Sequence, residues 1–167
     1  MSPAEESEVR RLLVGAARAI ASVRYCWFVT AADSGLIHAR PMGQTPRALD
    51  EDEWIMRFVT DGRSRKASEI WRAGKVTLVF QRETDDAYVS LMGTASLRVG
   101  ATQDPRHWRD AYEIYFPGEE DRANAAFIEV RGERMELWIR GVTREPFGMR
   151  PTRLERGTEA AWRLVDG

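Results

Sequence analysis

The sequence predicts a mainly β domain with flanking helices, organised as a small antiparallel barrel of at least six strands. Three observations carry this expectation. Short runs rich in β-branched and aromatic residues recur along the chain, separated by turn residues. Helical stretches fall at the N-terminus and between strands without the regular alternation of a βαβ sheet, and no strand is followed by a glycine-rich dinucleotide fingerprint. A length of 167 residues with 43% hydrophobic content, including six Trp and six Phe, suits a single packed domain over residues 1–167.

Ser2-Pro3 followed by Glu5 and Glu6 is a helix start, with a serine cap, proline in the first turn and carboxylates against the positive end of the dipole. Val9, Leu12, Leu13, Ala16, Ala17 and Ile20 recur at helical spacing, so this helix covers about 3–22. Residues 24–30 read as a strand, 31–35 as a turn and 36–42 as the returning strand. After a polar connection with Pro46, residues 54–60 form another strand ending at Asp61-Gly62. Ser64 then caps a short helix with Ala67, Ile70 and Trp71 on its apolar edge, and Gly74 stops it. Strands at 75–81 and 87–99 flank an acidic turn, and Gly93 inside the second marks a bulge or a close backbone approach. Asp104-Pro105 opens a second helix carrying Trp108, Tyr112 and Tyr115, closed by Phe116-Pro117-Gly118. Residues 124–131 and 134–140 read as a strand pair around Gly132. Residues 141–167 read as an irregular tail with a last edge strand at 162–165.

Charge is abundant and balanced, 25 basic against 26 acidic residues, so no global field favours nucleic acid or an anionic membrane, and any anion site is local. The single cysteine, Cys26, cannot form an intramolecular disulfide and sits in an apolar run, where a buried inert thiol competes with a reactive one. Glu5, Glu6 and Glu8 interrupt the place where a signal peptide's apolar core would lie, and no apolar run reaches the roughly 18 residues of a membrane span, so a cytoplasmic location is expected. Two distant histidines and one cysteine give no zinc spacing. Asp85-Asp86 and Glu119-Glu120 read as solvated turns.

Two clusters carry chemistry. Gly62-Arg63-Ser64-Arg65-Lys66 places three cations and a hydroxyl at a helix N-terminus, where backbone N–H groups and the dipole favour an anion. Cations there are misplaced unless an anion binds, although a solvated charged turn is the other reading. His38-Ala39-Arg40-Pro41-Met42 ends a strand, and Pro41 removes a ladder donor, which frees the backbone near Arg40 for a ligand or leaves a strand end with one exposed arginine. His38 either joins a bound phosphate or alternates out of the barrel, and His107 reads as a surface residue of the second helix.

Together these clusters resemble the pyridoxamine 5′-phosphate oxidase-like, FMN-binding split-barrel superfamily, and within it the general stress protein branch. The match runs through Arg40-Pro41-Met42, the strand 54–60, Ser64-Arg65-Lys66, the strand 76–80, residues 89–96 with Gly93, and Met135-Glu136-Leu137-Trp138, over roughly residues 10–140. The resemblance implies a six-stranded antiparallel split β-barrel. It implies an FMN phosphate held by Arg40, Ser64, Arg65 and Lys66, Pro41 and Met42 presenting backbone to the isoalloxazine, and Phe58, Val59 and Thr60 along the ring and ribityl chain. It further implies a homodimer with flavin at the interface, in which Gln81 and Trp138 reach the neighbouring subunit's cofactor; a core or interface role without flavin contact stays open for Trp138. The chain departs from true pyridoxamine phosphate oxidases in lacking an Arg-x-His stretch after Glu136-Leu137-Trp138, with no histidine beyond His107. The expected function is therefore an FMN-dependent oxidoreductase acting on a small molecule other than the vitamin-pathway amine. The alternatives are a non-catalytic stress protein that buffers or senses flavin, and a split barrel that uses deazaflavin or heme.

Overall fold

Residues 1–157 and 161–165 are described by the computed structural model. Helix α1 (Pro3–Ser22) begins at a complete capping box: the Ser2 hydroxyl accepts from the Glu5 N–H, and the Glu5 carboxylate accepts from the Ser2 N–H at 2.6 Å. Its face of Val9, Leu12, Ala16, Ala19 and Ile20 is buried against the barrel. Strands β1 (Cys26–Ala31) and β2 (Ile37–Met42) form the first hairpin. Strand β3 (Ile55–Asp61) leads into helix α2 (Arg65–Ala73), which ends at Gly74 in the left-handed region, φ 65°, where a side chain would be strained. Strands β4 (Lys75–Arg82) and β5 (Ala87–Val99) make a second hairpin, and β6 (Ala125–Ile139) returns along the whole of β5.

All pairings are antiparallel, in the order β2-β1-β4-β5-β6, with β3 laid along the first half of β6 from Ile55↔Arg131 to Asp61↔Ala125. Among the described residues β2 and β3 do not pair, so the six strands β1 to β6 curl into a barrel that stays open along that one seam. The expected split barrel is present. Two further strands, β7 (Thr152–Arg156) and β8 (Trp162–Val165), extend the sheet from the second half of β6 to a total of eight. Alternation along each strand sends Phe28, Phe58, Leu78, Phe80, Val89, Leu91, Met135 and Leu137 inward, each side chain contributing about 1.5–3 kcal/mol on full burial. Phe28 and Phe58 meet edge to face with ring centroids 5.2 Å apart.

Four segments differ from expectation. The two strands read at 124–131 and 134–140 are one continuous β6, because Gly132 faces Gly93 at the register shift between Met92 and Gly93, and the bulge absorbs the irregularity without ending the strand. A Cβ on Gly93 would lie 2.1 Å from the Arg131 carbonyl oxygen, which explains the glycine at this close approach. The tail is not irregular throughout, since 152–156 forms β7 with Thr152 and Leu154 buried. The segment 104–116 is not a continuous helix: the Arg109 guanidinium takes the Arg106 and Trp108 carbonyls that a helix would use, and only Asp110–Tyr115 forms a 3₁₀ turn. Trp108, Tyr112 and Phe116 still pack together, at 5.6 and 5.9 Å from the Trp108 ring. Glu119 and Glu120 open a one-turn helix α3 (Glu119–Ala123) rather than lying in an open turn. No helix among the described residues is long and apolar enough to cross a membrane.

Candidate functional site

The open seam between β2 and β3 forms a cleft of about 510 Å³. Its walls combine the end of β2 (Pro41, Met42), the end of β3 (Val59, Thr60, Asp61), the start of α2 (Lys66), the segment 43–46, Arg24 and Tyr25 ahead of β1, and Tyr112, Tyr115 and Phe116 from the 3₁₀ region. Five residues singled out in the sequence therefore meet here: Pro41, Met42, Val59, Thr60 and Lys66. The aromatic members and Gln44 carried no signal of their own, because they come from irregular segments whose path only the folded barrel fixes.

Lys66 in this wall belongs to a cradle of cations that continues to Arg40, just outside the lining of the cleft. The Arg40 guanidinium donates to Thr30 Oγ1 at 2.9 Å and to Glu69 Oε2 at 3.3 Å, which leaves its remaining N–H groups available. Burial first, and the neighbouring Arg40 cation second, pull the Lys66 ammonium below the ordinary lysine value. Two cations held close enough to disfavour each other mark a place where an anion is energetically welcome. The Asp61 carboxylate in the same wall offsets this in part, but Arg63 binds it at 2.8 Å and a second carboxylate, Asp121, at 2.9 Å. Arg63 is thereby withdrawn from the cationic cluster read in the sequence. Ser64 caps α2 by accepting from the Ala67 N–H at 3.3 Å, and Arg65 is largely exposed, 3.9 Å from Glu69. Thr60 Oγ1 is enclosed and finds no hydrogen-bond partner among the described residues.

Three of the singled-out residues lie elsewhere. The Phe58 ring sits fully inside the core, edge to face on Phe28, and is not among the residues lining the cleft. Gln81 and Trp138 occupy a cross-strand row on the outer face of the sheet, both paired to Tyr88, and Gln81 donates to Glu83 at 2.6 Å. Trp27, half exposed on the same outer face, lies in the neighbouring row, paired to Pro41 on one side and Val79 on the other. His38 does not alternate into solvent: its Nδ1 lies 2.8 Å from Glu69 Oε1. His107 is not a surface residue either, being held between Glu51 Oε1 at 2.7 Å and Asp104 Oδ2 at 2.8 Å. Burial pushes the Cys26 thiol up to about 12, as suits an inert buried cysteine.

A ring of charges anchors the two irregular walls. Glu51 binds Arg57 at 2.8 Å, Arg57 faces Glu129 at 3.5 Å, and Glu129 binds Arg98 at 2.9 Å. Arg98 binds Asp104 at 2.7 Å, and His107 closes the circuit back to Glu51. The Arg57 hydrogen bond leads the forces that lower the Glu51 carboxyl to about 2. Thr45 in the cleft wall is tied to the same strand, its N–H donating to the Arg57 carbonyl at 2.7 Å.

Fold and cleft together define an antiparallel split-barrel protein with a cleft at its seam, lined in part by Lys66. The family model described as "Pyridoxamine 5′-phosphate oxidase like" matches residues 16–147, and the chain belongs to that family. Solved structures share the fold. A Clostridium acetobutylicum protein related to general stress protein 26 aligns with a TM-score of 0.67 at 16% identity, over 86% of this chain and 94% of that one. General stress protein 26 of Bacillus anthracis gives 0.64 at 19% identity, over 87% and 98%. A pyridoxamine 5′-phosphate oxidase-related, FMN-binding protein of Nostoc punctiforme gives 0.64 at 17% identity, over 100% and 98%. No curated protein matches the chain.

Proposed function

We propose that the chain is an FMN-binding flavoprotein with its cofactor in the seam cleft. The observation that carries this reading is the proximity of Arg40 to Lys66, a half-buried cation in the wall of the seam cleft, where the nearby carboxylates are already engaged, Glu69 by Arg40 and His38 and Asp61 by Arg63. The donor set fits the cofactor: guanidinium and ammonium for a phosphate, the Thr60 hydroxyl for a polyol, and Met42, Val59 and Pro46 as apolar walls for a planar ring. Arg40, Lys66, Ser64 and Arg65 would bind the phosphate, Pro41 and Met42 would offer backbone to the ring, and Val59 and Thr60 would fix the ring and side chain in orientation. Bound FMN supplies hydride and electron transfer, and the protein supplies position and electrostatics. The reaction class is oxidation or reduction of a small organic molecule. The FMN-binding Nostoc punctiforme relative shares the fold and supports the choice of cofactor.

Homodimerisation belongs to the same proposal. The outer sheet face carries Trp27, Val79, Tyr88 and Trp138, partly exposed among polar residues such as Gln81, Ser90 and Glu136, a mixed surface that suits burial against a second copy and would let Gln81 and Trp138 approach the partner's cofactor. A flavin-buffering role without catalysis is the second reading, favoured by the absence of any histidine after His107.

The test is direct. Purified protein is expected to carry a yellow chromophore that denaturation releases as FMN by mass; colourless protein that takes up no FMN at micromolar concentration contradicts both readings. Reduction of the bound flavin by a nicotinamide nucleotide and steady reoxidation separates the enzyme from the buffer.

A further inference from the structure

The two halves of the cation cradle come from different elements, Arg40 from β2 and Lys66 from α2, and one residue joins them. Glu69 is only 2% exposed, yet its carboxylate takes the Thr30 hydroxyl at 2.5 Å, His38 Nδ1 at 2.8 Å and Arg40 Nη2 at 3.3 Å. Thr30 in turn accepts from Arg40 Nη1, so the guanidinium is held along one edge by a hydroxyl and a carboxylate that also bond each other. Burial raises the Glu69 carboxyl, but the bonds from Thr30 and His38 and the Arg40 charge outweigh it and the net direction is downward, so the group stays ionised.

We propose that Glu69 is the positioning residue of the anion cradle: it holds the Arg40 guanidinium beside Lys66 so that both cations converge on the phosphate of the bound flavin. This rests on the cleft being an FMN site. Arginine has several rotatable bonds and a neighbour of like charge, so an unanchored Arg40 would turn toward solvent, and the cost of ordering it again would oppose binding. Glu69 and Thr30 meet that cost during folding. The opposing effect is repulsion between the Glu69 carboxylate and a phosphate. It is weakened because both carboxylate oxygens are already engaged, Oε1 by His38 and Oε2 by Thr30 and Arg40, while Arg40, Lys66 and Arg65 keep the cradle positive.

The experiment compares FMN with riboflavin, which lacks the phosphate, by flavin fluorescence titration of wild-type protein, Glu69→Gln and Glu69→Asp. In Glu69→Gln the FMN dissociation constant is expected to rise about tenfold while that of riboflavin stays unchanged, the scale of one charged hydrogen bond. Glu69→Asp keeps the charge but shortens the reach, and is expected to lose part of the preference for FMN. A folded Glu69→Gln that binds FMN as tightly as wild type, or more tightly, overturns the proposal. If that variant does not fold, an undiminished FMN preference in Glu69→Asp overturns it instead. Wild-type protein that does not prefer FMN over riboflavin refutes the cofactor reading itself, and the role of Glu69 with it.

Discussion

The ring of charges behind the cleft and the cradle at its end are built from the same residue types, yet one is closed and the other open. In the ring, Arg57 and Arg98 alternate with Glu51, Glu129 and Asp104, and His107 completes the circuit, so every cation faces two carboxylates. In the cradle, Arg40 and Arg65 share Glu69, while burial and the Arg40 cation lower the Lys66 ammonium and Asp61, already bound to Arg63, offsets this in part. A balanced buried network holds segments of chain together. An unbalanced one invites a ligand. The position of an arginine therefore says less about its role than the count of carboxylates around it.

This contrast fails or sharpens under substitution. Arg57 is 6% exposed, and Arg57→Ala would leave Glu51 and Glu129 facing each other without their shared cation; urea denaturation is expected to show a loss of about 3–5 kcal/mol. A loss below about 1 kcal/mol, the range of surface pairs, would mean that the ring is incidental. Lys66→Ala should behave in the opposite way. Removing it relieves repulsion with Arg40, so stability is expected to hold or rise slightly, while FMN affinity falls by about 1.5–3 kcal/mol. Parallel losses in stability and affinity would erase the distinction between the two regions.

The ring also has a pH signature. The Glu51 carboxyl is lowered from 4.5 to about 2, chiefly by Arg57, so its contribution is fully present above about pH 4.5 and is lost as pH falls toward 2. Stability of the wild type measured across that window should drop more steeply than that of Glu51→Gln; identical acid limbs would count against the assignment. The smallest effect is expected at Ser64→Ala, which removes the cap of α2 and costs about 1 kcal/mol of stability.

Legibility followed the reach of each interaction along the chain. The bounds of α1 were readable because Ser2, Pro3 and Glu5 build its cap within four residues. Gly93 was readable because a glycine inside a β-branched run has few other uses. β6 was divided in error at Gly132, since the sequence does not show that this glycine lies opposite Gly93. His107 and Glu51 lie 56 positions apart and meet only because an irregular segment folds back on the barrel. Glu69 was hidden for another reason: a glutamate in a short helix reads as solvated, and the available hint was its spacing of four from Arg65. Of the phosphate cluster, Lys66 reached the cleft, Ser64 is engaged in capping, and Arg63 was diverted by Asp61 and Asp121.

The central claim is that the open cradle at the β2 and β3 seam holds the phosphate of FMN. Competitive titration of FMN against riboflavin, on wild-type protein and on the variant carrying both Arg40→Ala and Lys66→Ala, tests it most directly. The account predicts a strong preference for FMN in the wild type that collapses in the double variant while riboflavin binding persists. Equal affinity of the two flavins for the wild type, or a preference that survives loss of both cations, would contradict it.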